Sequence, residues 1–530
     1  MKRHLPSSLR VPLRRLMSEG TTVARPLRMA VDLTQLSAGG ASGGVKPFIL
    51  EYLRELASLE GDRITFIFLT WSASHDELRS LARSQDELVC VRHDGATKPL
   101  DLSDWRSGEL SLPAAPHDLL LQLEVDLFYS PLGLPQHACP GVPTISTIVD
   151  VLHRDYPATL PPHANAIRED LFRGLVKISD RFQCISNYTA DRLHHHYGVP
   201  LDRTFCSYLP VHTRLETVSN NQPALPVAAP YFLYPANFWK HKNHETLLVA
   251  YHSYRAKNLA GAWDLVLTGH EDERMRQVME VATNLGLKGH VHFLRHLPDK
   301  EFSQVWRHAG ALVFPSLHEG FGIPLLEAMH FGIPILSSTE GSLREVAGSA
   351  AIYADARNPM TWAAAMARIA HEEPLRSDLV ARGHRRLAEY SLAKEVRKFR
   401  DVVLTTANLH SDRFWHKGLH IDGWIEQVAV FGLPPTDKPM RIRIGLRPTM
   451  VTRRLRVYSG STPLGGFDVA PESLSKIEVE VDAGQRALIL EVPDASNLNP
   501  DDHRVHGVIV ASLSASSSSG EVYDLLGNRP

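Results

Sequence analysis

The sequence is poor in cysteine and carries no surplus of charge of either sign. Its 530 residues include four cysteines, which lie far apart and form no C-x-x-C pair. Neither a disulfide scaffold nor a zinc ribbon is therefore expected. The 57 Lys and Arg residues balance 59 Asp and Glu residues, which argues against a protein built to coat nucleic acid or an anionic membrane. A hydrophobic content of 43% excludes wholesale disorder.

Several common site motifs are also missing. The chain has no G-x-x-x-x-G-K-[ST] loop, no Asp-x-Asp and no His-Glu-x-x-His, so we expect neither a P-loop ATPase nor a bound metal. It has no uninterrupted run of about 18 apolar residues, so we expect a cytoplasmic protein without a transmembrane helix. Residues 1–28 carry seven basic residues and one acid, which indicates either a flexible tail or a peripheral contact with anionic lipid.

Apolar runs and helical patterns alternate over most of the chain. After the basic tail (1–28), this alternation extends over residues 29–222. A stretch at 219–230 that contains Pro and Asn has the composition of a linker, and the alternation then restarts over 223–409. This order predicts an α/β fold with two tandem Rossmann-like domains that face each other across a cleft.

The pattern changes after about residue 410. Short segments in which apolar and polar residues alternate, separated by turns, predict an all-β sandwich domain over 410–515. A serine-rich stretch then leads into a flexible tail at 516–530. Trp415 and Trp424 lie near the start of the predicted sandwich. They either bind glycan by stacking or, as we favour, fill a core or dock on the rest of the protein.

The most informative motif is residues 315–329, PSLHEGFGIPLLEAM, where a predicted strand leads into a glycine-containing loop and a helix. Such a junction gathers free backbone N–H groups and the positive end of a helix dipole, which together bind anions. Glu319 and Glu327 would repel phosphate, so we expect both to accept hydrogen bonds from hydroxyls. A ligand with phosphates and sugar hydroxyls fits this pairing, and simple helix capping by the glycines is the alternative.

A second, basic motif lies between another predicted strand and helix, at residues 234–248 (YPANFWKHKNHETLL). Lys240, His241 and Lys242 gather positive charge where a diphosphate would dock, although a solvated basic turn is the alternative. Asn243 follows them and is a favourable N-cap for the next helix. Both motifs follow strands of the same predicted sheet, and ligands bind at such strand ends, which favours one shared site.

Together the two motifs resemble the retaining nucleotide-sugar glycosyltransferases of family 4, which have the GT-B fold. The resemblance covers about residues 29–408. Glu319 and Glu327 match the family's E-x7-E pair, and the GGV sequence at 43–45 matches its N-terminal glycine loop. The chain is most similar to bacterial mannosyltransferase-like enzymes, whose basic loop reads WPHKNH; here Lys240 replaces the proline.

The resemblance implies a role for each matched residue of the second domain. Lys242 would bind the donor diphosphate, and Glu327 would hold the ribose hydroxyls. Glu319 and the amides of the glycine-containing loop would face the donor sugar. The donor-binding candidates are Lys242, His241, Asn243, Asn237, Gly320, Phe321, Gly322, Glu327, Gly43 and Gly44.

The resemblance also implies a contribution from the first domain. Many family members have a histidine where this chain has Val149, directly before Asp150. His153 lies three residues after Asp150, and we expect it to reach the same place. Asp150 and His153 would then orient donor or acceptor hydroxyls across the cleft. The candidate catalytic residues are Glu319, Asp150 and His153.

The motifs and the resemblance together predict a hexosyltransferase of polysaccharide or lipopolysaccharide biosynthesis. It would move a hexose, with mannose favoured, from a nucleotide diphosphate sugar to a hydroxyl of a glycan or polyprenyl-linked saccharide, with anomeric retention. We expect no metal, no nucleic-acid partner and no cofactor beyond this co-substrate, with GDP-mannose favoured. The alternatives are a nucleotide-sugar epimerase or phosphorylase on the same fold, and a catalytically inactive carbohydrate-binding protein.

Overall fold

A computed structural model describes residues 25–37, 45–92, 117–210, 227–257, 261–295, 297–409, 415–471, 474–496, 506–518 and 520–526. Gly43 and Gly44, most of the basic tail (1–28) and most of the interdomain stretch at 219–230 lie outside these ranges, so what the sequence predicts for them stays a prediction. Within the described part of the chain, no helix combines the length and the apolar character needed to cross a bilayer.

The first domain is built on a seven-stranded parallel sheet. Its elements are β1 (Leu27–Asp32), α1 (Val45–Glu60), β2 (Ile64–Trp71), α2 (Ser72–Leu78), β3 (Glu87–Arg92), α3 (Leu119–Gln122), β4 (Leu127–Ser130), β5 (Thr144–Ile148), α4 (Leu152–Asp155), α5 (Pro162–Ile178), β6 (Arg181–Cys184), α6 (Asn187–Tyr197) and β7 (Thr204–Cys206). The strand order is β3-β2-β1-β4-β5-β6-β7. The order reverses between β1 and β4, which is where sheets of this type bind ligands.

The second domain repeats this architecture with six parallel strands. Its elements are β8 (Tyr231–Pro235), α7 (His244–Lys257), β9 (Asp264–Thr268), α8 (Glu273–Asn284), β10 (Val291–Leu294), α9 (Asp299–His308), β11 (Ala309–Phe314), α10 (Ile323–His330), β12 (Ile335–Ser337), α11 (Leu343–Ala347), β13 (Ala351–Tyr353), α12 (Pro359–His371), α13 (Glu373–Leu387) and α14 (Leu392–Ala407). The order is β10-β9-β8-β11-β12-β13. Two parallel Rossmann-like sheets are confirmed, and β8 and β11, which precede the two motifs, are neighbours.

The last helix of this region, α14, packs on the first domain. The ring of Phe399 lies 5.4 Å from the ring of Tyr52 and 4.8 Å from that of Tyr129, and the Tyr52 hydroxyl donates to the backbone oxygen of Glu395 at 3.2 Å. The sequence pattern places this helix at the end of the predicted second domain, 223–409. In the structure its apolar face covers first-domain side chains.

The third domain consists of antiparallel strands, as its alternating sequence pattern predicts. The strands are β14 (His416–Leu419), β15 (Ile425–Gly432), β16 (Met440–Arg447), β17 (Arg453–Ser459), β18 (Thr462–Val469), β19 (Ser475–Val481), β20 (Ala487–Glu491), β21 (Ile509–Ser517) and β22 (Val522–Asp524). They form two sheets, ordered β14-β15-β20-β17-β18 and β19-β16-β21-β22. Inward-facing side chains of both sheets belong to one buried apolar cluster, which is the core of the domain.

The third domain covers one face of the first sheet. Ala30, Ile67 and Phe128, on β1, β2 and β4, form a buried cluster with third-domain side chains. Val430 on β15 and Ile489 on β20 are among the third-domain members of this cluster. The opposite face of the same strands belongs to the core that includes α1 and α14. An antiparallel sheet therefore takes the place that a helical layer holds in an ordinary doubly wound domain.

The two tryptophans of the third domain have different partners. Trp415 packs against the cluster shared with the first domain, which agrees with the docking interpretation. Trp424 stays within its own domain, where its ring lies 4.9 Å from that of His506. A polar contact supports the docking, because the Lys417 ammonium group donates to the backbone oxygen of Gln136 at 3.0 Å.

Candidate active site

The two motif loops meet because β8 and β11 are adjacent parallel strands whose carboxyl ends lie at the same sheet edge. The Lys242 ammonium group donates to Glu319 Oε1 at 2.6 Å. The two side chains are only 13% and 12% exposed. The structure therefore brings together the cation predicted to bind a diphosphate and the carboxylate predicted to face a sugar.

Local hydrogen bonds fix the backbone around Lys242. Residues 240–242 form one turn of 3-10 helix, and the Tyr234 hydroxyl donates to the backbone oxygen of Lys242 at 2.6 Å. Asn243 follows with a left-handed backbone (φ 63°) in place of the extended backbone of an N-cap. Its side-chain nitrogen donates to the backbone oxygens of Pro315 at 3.1 Å and Ala356 at 2.7 Å. The N-cap prediction is therefore corrected: Asn243 ties the basic loop to the glycine loop.

Two positions of the glycine loop require glycine. Gly322 precedes α10 with φ 94°, and a Cβ there would lie 2.7 Å from a Leu343 methyl group. At Gly320 a Cβ would lie 1.8 Å from the backbone oxygen of Val149 in the first domain. Pro324 lies in the first turn of α10, as predicted. Because these glycines have no side chain, the backbone of the loop lies directly against the opposing domain. Its amide groups are therefore close to the cleft.

The remaining donor-binding candidates lie around these loops. Glu327 is 4% exposed, within α10. The ring of Phe321 packs against Tyr390, with 5.9 Å between ring centroids, so only its backbone is available to a ligand. The side-chain oxygen of Asn237 accepts a hydrogen bond from the amide of His270 at 3.0 Å, which joins the loops that follow β8 and β9.

Asp150 is a first-domain carboxylate that lies next to Gly320 of the second domain. Its Oδ1 accepts hydrogen bonds from the amide of Leu152 at 2.9 Å and from Arg168 at 3.1 Å. Burial alone would raise its pKa, but Arg168, this amide and the nearby His318 and His241 outweigh burial and hold the pKa below its usual range. Asp150 is therefore an ionised acceptor at the cleft.

The structure places His153 inside the first domain, away from the loops of the second. Its Nε2 lies 2.6 Å from the Tyr197 hydroxyl, its ring packs 4.6 Å from that of Phe172, and it is 4% exposed. Burial, followed by the charge of Arg168, lowers its pKa to about 4. The expectation that His153 takes the place of the family's histidine is corrected by this packing between α5 and α6.

His318, which the sequence reasoning did not single out, occupies the cleft instead. Its ring is 2% exposed and lies 5.9 Å from Tyr156 and 5.8 Å from Tyr188 of the first domain. Its Nδ1 is 3.6 Å from Asp155 Oδ2, and neither ring nitrogen has a hydrogen-bond partner among the described residues. The position of His318 directly before Glu319 was a sequence signal that it could belong to the site. The sequence did not show that its ring would pack against the first domain.

Direct hydrogen bonds hold the two domains together at the cleft. The Glu345 carboxylate accepts from the amides of Asn187 at 2.7 Å and Tyr188 at 2.9 Å, so it caps α6 from the other domain. The Ser186 hydroxyl donates to the backbone oxygen of Gly320 at 2.7 Å. This closed arrangement limits the access of water to Lys242 and Glu319.

No cluster of three or more His, Cys, Asp or Glu side chains in the described ranges has the arrangement of a metal site. Two histidines of the HHH triplet at 194–196 have separate partners. His194 bonds to the backbone oxygen of Val199 at 2.8 Å, and His196 bonds to Asp155 at 2.7 Å. The expectation of a site without metal stays a prediction.

His244, the first residue of α7, directly follows the basic loop and is buried. It is 2% exposed, and its ring lies 4.5 Å from that of Phe238 and 4.8 Å from that of Tyr234. Its Nε2 has no hydrogen-bond partner in the described structure. Burial, followed by the charge of Lys242, lowers the pKa of His244 to about 3. The folded protein therefore holds this ring neutral at every pH above that value.

We expect the free energy of unfolding to fall as the pH drops from about 6.5 towards 3. The unfolded chain takes up a proton on His244 below about pH 6.5 and the folded chain does not, which costs up to about 1.4 kcal/mol per pH unit. Urea unfolding at several pH values should show that the free energy of unfolding falls less with decreasing pH in the His244→Phe variant than in wild type. His252→Phe, an exposed position on the same helix, is the control. If the free energy of unfolding changed equally with pH in wild type and His244→Phe, the lowered pKa assigned to His244 in the folded protein would be contradicted.

Comparison with known families identifies the first two domains. The model "Glycosyltransferase Family 4" matches residues 42–214, and "Glycosyl transferases group 1" matches residues 217–386. The two matches fall on the two parallel-sheet domains and include every candidate site residue. The chain belongs to the family-4 glycosyltransferases. The third domain lies beyond both matches.

Curated relatives include enzymes of O-antigen synthesis. O-antigen chain mannosyltransferase B of Escherichia coli is 31% identical over 164 residues, which cover 30% of this chain and 42% of that protein. O-antigen chain mannosyltransferase RfbU of Salmonella typhimurium is 30% identical over 139 residues, which cover 26% and 38%. The matched segments thus span less than half of either relative.

Solved structures share the fold. Anabaena HepE, in complex with UDP and glucose, is 15% identical, with a TM-score of 0.54 over 72% of this chain and 100% of that chain. WaaG, a glycosyltransferase of lipopolysaccharide biosynthesis, is 14% identical, with a TM-score of 0.52 over 71% and 99%. At these identities the likeness shows the GT-B fold alone, and it leaves more than a quarter of this chain uncovered.

Proposed function

We propose that this protein is a retaining glycosyltransferase that moves a hexose, with mannose favoured, from a nucleotide diphosphate sugar to a hydroxyl of a glycan or polyprenyl-linked saccharide. The observation that carries the proposal is the pair formed by Lys242 and Glu319, 2.6 Å apart at the ends of adjacent strands. One member is a cation suited to a diphosphate, and the other is an acceptor suited to sugar hydroxyls. The proposal includes a reaction without metal.

The chemistry follows from the charges at the site. As the bond between the sugar and the diphosphate breaks, negative charge grows on the leaving group. Lys242 and the amides at the start of α10, after Gly322, stabilise this charge. When the diphosphate binds the Lys242 ammonium group, the hydrogen bond between Lys242 and Glu319 breaks. Glu319 can then accept hydrogen bonds from sugar hydroxyls. Retention follows from the family resemblance, in which the acceptor attacks the face that the leaving group vacates.

The first domain completes the site. Asp150 stays ionised beside Arg168 and accepts a hydrogen bond from a donor or acceptor hydroxyl. The interdomain contacts of Glu345 keep the cleft closed during transfer, which limits hydrolysis of the donor. The third domain, which we describe as a β-sandwich because both sheets share one core, stiffens the first.

The relatives support the choice of substrates. Two of them are named O-antigen mannosyltransferases, which favours GDP-mannose as donor and a glycan or polyprenyl-linked saccharide as acceptor. The HepE structure holds UDP and glucose, so a uridine donor is the competing choice. A cytoplasmic enzyme that touches the membrane through its basic N-terminus would meet such an acceptor.

A screen of nucleotide sugars by thermal unfolding tests the proposal. The true donor at 100 times its dissociation constant should stabilise the folded state by about 2.7 kcal/mol, and we expect GDP-mannose to give the largest rise in Tm. Proton NMR of the product should then show the anomeric configuration of the donor. Failure of every nucleotide sugar to raise Tm would contradict the proposal. Conversion of the donor in the absence of acceptor would favour an epimerase.

A further inference from the structure

The three most exposed large apolar side chains of the described residues all belong to the third domain. Ile421 is 97% exposed, Met450 82% and Leu474 70%. Single exposed apolar side chains are common on soluble proteins, but a group of them in one small domain indicates an interaction surface. Both family matches end before this domain, so membership of the family assigns it no role.

The strand pairing brings two of these side chains to the same end of the domain. Met450 lies in the connection between β16 and β17, and Leu474 directly precedes β19. Near its carboxyl end β16 pairs with the first residue of β19, where Leu446 lies opposite Ser475. The connection after β16 and the residue before β19 are therefore neighbours at one end of this sheet.

The third side chain lies at that end as well. Ile421 is in the turn between β14 and β15. Trp424, at the close of this turn, forms a β-bridge with Ile509, and Ile509 pairs with Arg447, the last residue of β16. The turn is therefore next to the carboxyl end of β16. We call this end of the third domain the apolar end; its exposed apolar residues are Ile421, Met450 and Leu474.

The shape of the apolar end favours a fluid partner. Its three side chains protrude from three separate connections, and no single strand or helix carries them. A folded partner would need a matching pocket for each of them. The boundary between lipid headgroups and acyl chains accepts separate apolar side chains without such pockets.

Basic side chains without a carboxylate partner lie beside the apolar end. On the outer face of β16, Arg441 and Arg443 lie 3.0 Å and 2.9 Å from the carboxylate of Glu478. Further along the same face, Arg447 on β16 and Lys476 on β19 are exposed, and neither forms an ion pair with any residue that the structure describes. Positive charge beside exposed apolar groups complements anionic lipid headgroups.

The described acidic side chains at this end have local partners. Asp468 pairs with Arg454 at 2.8 Å, and Asp494 accepts from the amide of Arg454 at 3.3 Å. Asp422 accepts from the amide of Trp424 at 3.4 Å. These carboxylates therefore hold the connections of the domain in place, and the two basic side chains keep their charge available to a ligand.

We propose that the apolar end docks on an anionic lipid bilayer. Ile421, Met450 and Leu474 enter the boundary between headgroups and acyl chains, and Arg447 and Lys476 contact lipid phosphate groups. Because the third domain also packs on the first sheet, this contact holds the two parallel-sheet domains at the membrane surface. It is separate from the contact proposed for the basic N-terminus, and it does not depend on the transferase function.

Co-sedimentation of the full chain with vesicles of phosphatidylcholine and phosphatidylglycerol tests the apolar contribution. Wild type should bind. The triple variant Ile421→Ser, Met450→Ser and Leu474→Ser should bind at least about 10-fold more weakly, and its Tm should stay within about 2 °C because all three positions are exposed. Val522→Ser is the matched control, because Val522 is 68% exposed and pairs with Ser516 towards the opposite end of the domain. It should bind as wild type does.

Single charge substitutions test the electrostatic contribution. Lys476→Gln and Arg447→Gln should each weaken binding to the anionic vesicles about fivefold. Binding to vesicles of phosphatidylcholine alone should change less than about twofold. Lys438→Gln, at an exposed position before β16 at the opposite end, is the control and should leave both affinities unchanged.

The other outcomes would overturn the proposal. Wild type that does not bind anionic vesicles would exclude a lipid partner. A triple variant that binds as tightly as wild type would assign the membrane contact to another part of the chain, such as the basic N-terminus. If wild type ignores vesicles and is dimeric in analytical ultracentrifugation while the triple variant is monomeric, the apolar end binds a second copy of this chain.

Discussion

Replacing Lys242 with methionine is expected to lower kcat/KM for sugar transfer by about 10²–10³-fold without unfolding the protein. That loss is typical when one charge-stabilising donor is removed from a transition state. Methionine keeps an unbranched apolar side chain of similar length and removes the ammonium nitrogen, which lies 5.9 Å from the ring centroids of Trp239 and Phe314. Only the ammonium group, which we place on the diphosphate, is lost.

The Glu319→Gln variant is expected to lose activity to a similar degree, because the amide cannot replace an anionic acceptor for sugar hydroxyls. Since Lys242 and Glu319 share a hydrogen bond, the double variant should lose less than the sum of the two single losses in activation free energy. Lys257→Met, an exposed lysine of α7, is the control. Turnover close to that of wild type in Lys242→Met would rule out its assignment to the diphosphate.

Truncation of the chain after residue 409 should strongly destabilise the first domain. The cut removes Val430 and Ile489 from the cluster that covers Ala30, Ile67 and Phe128. Each buried side chain of this size contributes about 1.5–3 kcal/mol, whereas a whole domain is stable by about 5–15 kcal/mol. We expect the truncated protein to be insoluble, or to melt at least about 10 °C below the full chain.

A point substitution makes the same test without removing a domain. Ile489→Asp places a carboxylate at a 5% exposed position on the docking face and should lower the free energy of unfolding by about 3–5 kcal/mol. Ile421→Asp, at a 97% exposed position of the same domain, should change it by less than about 0.5 kcal/mol. A truncated protein as stable as the full chain would show that the third domain is an independent appendage.

Much of the architecture could be read from local sequence patterns. The short apolar runs at 264–268 and 291–294, for example, belong to the predicted alternation over 223–409 and form the strands β9 and β10. Short apolar runs between turn residues carry that information because both faces of a parallel strand are buried. The pairing of Lys242 with Glu319 was also foreseeable, since both loops follow strands of one sheet and such loops meet at its edge.

The rest depended on contacts between residues far apart in the chain. Sequence patterns predicted helices up to residue 409 and strands after about residue 410, but they could not show that α14 and β15 pack on the first domain. In the same way, His153 and His318 are equally good candidates by residue type. Packing within the first domain buries His153 between α5 and α6, and the docking of the two domains places His318 in the cleft. The elements and the chemistry of the two loops are predictable from local sequence, because hydrophobic periodicity and backbone requirements are local. The tertiary structure decided which histidine enters the cleft and what covers the first sheet, because long-range packing selects each partner.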